Sequence, residues 1–209
     1  MIDNKIMIDN KIDEIELSKL ISSCLYINNC SSNKKKDINS LSFLIDKKLS
    51  QSDCIKLGIG CEKLINDIIL KFSNYKNIKS KNIKGCKEKD HLYLDEKNKI
   101  IYFAELKSNI NLDTEKSKLT CQKCIDIVNE IKNYKDYKDF KIKWCLVSLR
   151  YLKYEDIPKN ISKKYNVIKD NLFGINEYLK LLNINLVFDE ENYKKFLNEI
   201  VNKMFRINV

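Results

Sequence analysis

A chain of 209 residues is long enough to bury one sizeable core, and 44% hydrophobic and 33% charged content with a single proline excludes a disordered or fibrous protein. No apolar run approaches the roughly 20 residues that a membrane-spanning helix requires. The net charge of +10 comes almost wholly from lysine; such a surface favours polyanions, although lysine faces are also an ordinary way to solvate a domain.

The hexad Met1–Ile6 recurs unchanged as Met7–Ile12. It lacks the basic start and apolar middle of a signal peptide, so 1–12 reads as an idle extension with Met7 as an alternative start. Residues 13–209 read as one domain, with a helical part over 13–57, a core over 58–150 and a C-terminal part over 151–209. Ile15, Leu17, Leu20, Ile21 and Cys24 recur at helical spacing and predict a helix over about 13–27. Leu41, Phe43, Leu44, Ile45 and Leu49 predict a second, with Asp37 as its N-cap. Gly58-Ile-Gly60 interrupts the pattern, after which Leu64, Ile65, Ile68, Ile69 and Phe72 predict a third helix carrying Glu62 in its first turn.

The middle of the chain changes period. Asp90–Leu94 alternates, Asp95–Asn98 is turn chemistry and Lys99–Lys107 is rich in β-branched and aromatic residues, which together predict a hairpin. Asp113 is placed to cap a helix over about Thr114–Lys132, and Ile142–Leu149 reads as a buried strand. Tyr151–Ile168 reads as loop or short helix, Asn176–Leu182 as helix and Ile184–Phe188 as a short strand. A last helix spans Glu190–Met204, with Tyr193, Phe196, Leu197 and Ile200 on its buried face. The order predicts an α/β domain with a mixed central sheet flanked by helices.

Eight cysteines without a secretory signal predict a reducing, intracellular, cytoplasmic setting. Cys121-Gln-Lys-Cys124 invites zinc, but these cysteines also fall at helical core spacing with Val128 and Ile131. No second close pair completes four ligands, and core packing is the better reading.

The hairpin holds the residues that could do chemistry. Strand side chains alternate, so Asp90 shares a face with Leu92 and Leu94, while Glu105 and Lys107 share one with Ile101 and Phe103. Two carboxylates and an amine on one inward face need a cation or each other, since burying them unpaired costs several kcal/mol. Asp90, Glu105 and the Leu106 main-chain carbonyl suit Mg²⁺, a hard cation that keeps places for water and a phosphate oxygen. Lys107 can then orient or help deprotonate the attacking water. A Glu-x-Lys triplet alone is ordinary in a lysine-rich chain: Glu130-Ile-Lys132 is another, on a helix-period segment where a solvated face is the simpler reading. The bland reading of Glu105-Leu-Lys107 is a structural ion pair at the sheet rim. Asp95, of opposite parity and in the turn, is read as structural, and His91 as packing or surface. Asp113 is a helix cap. Ser108 and Asn109 either bond a DNA phosphate or simply end the strand.

The stretch Lys89-Asp-His-Leu-Tyr-Leu94 with Tyr102-Phe-Ala-Glu-Leu-Lys107 resembles the catalytic hairpin of the PD-(D/E)XK nucleases, and Ser108–Lys116 resembles the segment that follows it in type II restriction endonucleases. The likeness is clear over 58–124 and thinner beyond. It implies a restriction-endonuclease-like core, with Asp90 and Glu105 as metal-binding acids, Lys107 as the signature lysine and Glu62 completing the metal shell through water. Lys89 stands where the family's proline would be. The implied activity is Mg²⁺-dependent, site-specific cleavage of double-stranded DNA leaving 5′-phosphates, by a homodimer partnered in its system by a cognate DNA methyltransferase. The alternatives are another nuclease of that type (repair, resolvase or RNA-cleaving) and a non-catalytic basic module that binds nucleic acid.

Overall fold

The computed structural model describes residues 44–45, 49–79 and 88–205. The duplicated hexad, the predicted first helix and most of the predicted second lie outside the described residues. Ser50 opens the first described helix, α1 (Gln51–Phe72), with a reciprocal cap: its Oγ accepts the Asp53 N–H at 3.1 Å and Asp53 Oδ2 accepts the Ser50 N–H at 3.2 Å. The helix then runs through Gly58 and Gly60 without a break, which corrects the predicted start and leaves Glu62 in its middle. Leu57, Cys61, Leu64, Ile65, Ile68 and Ile69 form one buried stripe, and that burial outweighs the cost of about 1 kcal/mol per interior glycine.

Five strands follow: β1 (Lys76–Asn77), β2 (His91–Asp95), β3 (Ile100–Lys107), β4 (Lys141–Ser148) and β5 (Leu172–Gly174). They lie side by side in chain order, antiparallel from β1 to β3 and parallel from β3 to β5. The β2–β3 turn is tight. Lys99 takes a positive φ of 52°, and Asp95 accepts the Asn98 N–H at 3.0 Å and its side-chain amide at 2.7 Å, the structural role expected of it. The parallel step from β3 to β4 is made by α2 (Thr114–Asn133), capped by Asp113, whose Oδ1 accepts the Lys116 N–H at 2.8 Å. Beyond β4 come the short α3 (Lys159–Ser162), a 3-10 stretch (Lys163–Asn171), α4 (Ile175–Leu181) and α5 (Glu190–Phe205).

Both faces of the sheet are covered, and the described residues form an α/β fold with a mixed, open sheet of five strands. On one face Leu92, Leu94, Ile101 and Phe103 pack against Cys124, Ile127, Val128 and Ile131 of α2. On the other Tyr93, Tyr102, Ala104 and Leu106 meet α1, α4 and α5. The alternation read from the sequence therefore assigns hairpin residues to two different cores, with Asp90, Glu105 and Lys107 in step with the α2 side.

Two elements depart from expectation. Ile184–Phe188 is not a strand. The Asn176 side chain takes both main-chain groups of Phe188, donating to its carbonyl at 2.8 Å and accepting its N–H at 2.9 Å, so no strand partner is needed. The missing strand is β5, three residues long and parallel to the end of β4. Among the described residues no helix is long and apolar enough to cross a membrane. Cys54, Cys61, Cys121, Cys124 and Cys145 carry free thiols. Cys121 and Cys124 are buried among apolar side chains, in keeping with core cysteines, and burial pushes the Cys124 thiol up to about 12, a poor ionisation state for a metal ligand.

Candidate active site

The strand register brings the candidate residues together. β2 pairs His91 with Ala104, so Asp90, one residue before that pair, stands beside Glu105 where β3 outruns its partner. β3 continues past β2 with only β4 beside it, and the Leu106 N–H that a longer β2 would have used donates to Asp90 Oδ2 at 2.7 Å. A residue's N–H and C=O point to the same edge of an extended strand, so the Leu106 carbonyl is directed past the end of β2 as well. This short fray gives one carboxylate, one carbonyl and the Glu105-Leu106-Lys107 triplet a common location.

Glu105 is fully buried and held by two lysines. Lys107 Nζ donates to Oε1 at 2.7 Å, and Lys123 Nζ, from α2, donates to Oε1 and Oε2, each at 2.7 Å. Burial pulls the Lys107 ammonium down, but the charge and hydrogen bond of Glu105, with Asp90 behind it, outweigh burial and hold it above the ordinary lysine value. Lys107 is thus a cation at neutral pH and acts as a donor. Asp90 is raised as well, which here favours the neutral form: burial first, then Glu105 and Glu62, push its carboxyl up to about 6 against the lowering effects of the Leu106 N–H and Lys107.

Glu62 faces Asp90 across a recess of about 240 Å³ that Lys79 and His91 also line, and its carboxylate pairs with Lys79 at 3.0 Å. His91 fixes this part of the wall. Its Nε2 lies 3.0 Å from the Glu62 carbonyl, which can only accept, so Nε2 carries the proton and Nδ1 accepts from the Tyr178 hydroxyl at 2.8 Å. Burial, and after it Lys79, pushes the ring down to about 4, so it is neutral at pH 7. The histidine is therefore a packing residue that ties β2 to α1 and α4. A larger recess of about 790 Å³, between Arg150–Lys153 and Phe188–Glu190, holds none of the acid cluster.

The remaining sequence candidates are placed less suggestively. Ser108 continues β3 close to α1, where Gly58 passes it. Asn109 uses its Oδ1 on the Asn111 N–H at 2.8 Å, closing its own turn. Glu130 sits half-buried on α2, in a helix as its spacing predicted. Lys123 was missed. The signal for it was a lysine inside the apolar stripe of α2, one residue before Cys124 and four before Ile127. A helix that crosses over the Ile101–Phe103–Glu105 face of β3 brings such a lysine to Glu105.

The donor set fits a hard cation. Asp90 Oδ1, Glu105 Oε2 and the Leu106 carbonyl are all oxygen, and the buried thiols nearby stay protonated. Among the described residues no three acid, cysteine or histidine side chains are gathered as a ready ligand cluster, so a cation here would need a main-chain carbonyl or water to complete its shell. No family model, curated protein or solved structure matches the chain.

The raised Asp90 carboxyl makes the stability of the chain depend on pH. Its folded carboxyl titrates near 6, above the ordinary 3.8, so this group's contribution to metal-free stability is complete below the ordinary value and lost as pH rises through about 6. A divalent cation favours the ionised form and opposes that loss. A Mg²⁺ ion held by Asp90 would therefore raise the melting temperature by an amount that grows between about pH 5 and 7; a rise that shrinks over that range would contradict such a site.

Proposed function

We propose that this chain is a Mg²⁺-dependent phosphodiesterase of the PD-(D/E)XK type, acting as a site-specific double-strand DNA endonuclease. The observation that carries the proposal is the convergence of Asp90, Glu105, the Leu106 backbone and Lys107 where β3 outruns β2. The surrounding order of helix, antiparallel hairpin, helix and parallel strand fits a restriction-endonuclease-like core. Asp90, Glu105 and the Leu106 carbonyl would hold the cation, with Glu62 reaching it through water. When bound, that ion polarises the phosphate and acidifies its own water.

The chain's own groups do the rest. Lys107, held as an ammonium, donates to the attacking water or to a non-bridging phosphate oxygen and offsets charge as the P–O3′ bond breaks, leaving a 5′-phosphate. His91 and Tyr178 keep the Glu62 turn of α1 against β2. Two carboxylates and two ammonium groups, Asp90 and Glu105 with Lys107 and Lys123, sum to zero, so a divalent cation leaves the centre positive and suited to a phosphate backbone. A homodimer would match a two-fold DNA site, and a cognate methyltransferase would protect the host's own copies of it.

One observation favours the non-catalytic alternative: both Glu105 oxygens already have lysine partners, as in a purely structural ion-pair network. Incubating plasmid and linear duplex with and without Mg²⁺ separates the readings. Discrete fragments that require Mg²⁺ support the endonuclease; a smear supports an unspecific nuclease of the same type. Salt-sensitive binding without any product supports the basic binding module.

A further inference from the structure

Glu105 has more cationic partners than a metal ligand can keep. Oε1 takes Lys107 and Lys123, whereas Oε2 takes Lys123 alone. A carboxylate oxygen has about two lone-pair sites, so Oε1 is filled and the site's one open acceptor on Glu105 lies at Oε2, beside the Lys123 ammonium. The two lysines are not equivalent. Lys107 comes from the same strand two residues on, and its nitrogen leaves Oε2 alone; Lys123 comes from a separate helix and straddles both oxygens. Glu105 is 0% exposed and cannot turn away, while the Lys123 side chain, 27% exposed, has a route to solvent.

We propose, on the basis of the hydrolytic reading above, that Lys123 is a displaceable placeholder for the divalent cation. In the metal-free chain it joins Lys107 in neutralising a fully buried carboxylate. When the cation arrives, Lys123 gives up Oε2 and swings outward, and Lys107 stays on Oε1 to serve the reaction. The charge balance favours such a movement: a divalent ion added beside two fixed ammonium groups would set four positive charges against two carboxylates, and with Lys123 withdrawn the centre still keeps a net positive charge for phosphate. Displacing one lysine relieves that excess and clears the ammonium from beside the open Oε2 lone pair at which the cation binds.

The test is calorimetric titration of the full chain with Ca²⁺, a hard cation that takes the same oxygen ligands, together with melting of the metal-free protein. Lys123→Met removes the competitor, so Ca²⁺ is expected to bind about tenfold tighter while the metal-free protein melts lower. Lys123→Arg, whose planar fork suits both oxygens of a carboxylate, is expected to bind Ca²⁺ several-fold more weakly and to keep its stability. Ca²⁺ affinity that is unchanged or weaker in Lys123→Met, or unchanged or tighter in Lys123→Arg, would overturn the placeholder while leaving the metal site standing. No Ca²⁺ or Mg²⁺ binding by any form, the parent chain included, would remove the hydrolytic reading and the placeholder with it.

Discussion

Glu105→Gln is expected to lower Mg²⁺-dependent cleavage by about a thousandfold, read as the single-turnover rate on duplex DNA. The substitution keeps the shape and removes the charge. Glu105 is fully buried and accepts three hydrogen bonds from two ammonium groups. In the glutamine variant one of its atoms becomes an amide that donates towards those same lysines, and Lys107 and Lys123 are left facing each other without the anion between them. Breaking a buried ion pair on one side costs about 3 to 5 kcal/mol when both partners are sealed from water. Here the lysine side chains are 33% and 27% exposed, so water recovers much of that and a loss nearer 1 to 2 kcal/mol is expected in urea unfolding. A variant that unfolds like the parent and cuts like the parent would show that Glu105 is only a rim ion pair.

The second large effect is structural. Gly174→Ala is expected to destabilise the chain by about 3 kcal/mol, the upper end of overpacking, measured by urea unfolding. A Cβ at this position would lie 2.4 Å from the Leu152 carbonyl carbon and oxygen and from the Lys153 nitrogen, all main-chain atoms that cannot rotate aside. The same backbone is held by the Ile175 and Asn176 N–H groups, which donate to Tyr151 and Leu152 carbonyls at 3.1 and 3.0 Å, and the Gly174 N–H donates to Glu177 Oε2 at 2.8 Å. The clash therefore opens the junction of β5 and α4. Gly58→Ala provides the contrast. Its Cβ would meet only Ser108 side-chain atoms at 3.6 and 3.7 Å, an ordinary contact, and alanine is the better helix former by about 0.5 to 1 kcal/mol. Gly58→Ala should thus be neutral or stabilising, and equal losses at the two glycines would refute this account.

The hairpin was legible because period-two alternation, a turn and a β-branched run all agree over Asp90–Lys107. Helix α2 was legible because an N-cap at Asp113 precedes a long apolar stripe. What failed were places where tertiary contacts overrule local preference. Gly58 and Gly60 have the composition of a helix break, yet the Leu57–Ile69 stripe packs as one surface and carries the helix through them. Ile184–Phe188 has strand composition, yet Asn176 satisfies Phe188 from another element. β5 has only three residues and leaves almost no periodic signal. At the site, parity alone put Asp90, Glu105 and Lys107 on one side of the sheet. Lys123 reaches Glu105 from 18 residues along the chain; its place in the apolar stripe of α2 marks it as inward-facing, but spacing within one helix does not name its partner on β3. The Leu106 N–H bond to Asp90 depends on β2 starting at His91 rather than at Asp90, a boundary finer than sequence patterns resolve.

The central claim is that Asp90 and Lys107 belong to one hydrolytic centre rather than to two separate ion pairs. Single-turnover cleavage of duplex DNA in Mg²⁺ by Asp90→Asn, Lys107→Met and the double variant tests it most directly. Groups acting as a unit predict that each single change removes nearly all of the rate and that the double change removes little more. Parent chain without Mg²⁺-dependent cleavage, or either single variant cutting at the parent rate, would contradict it.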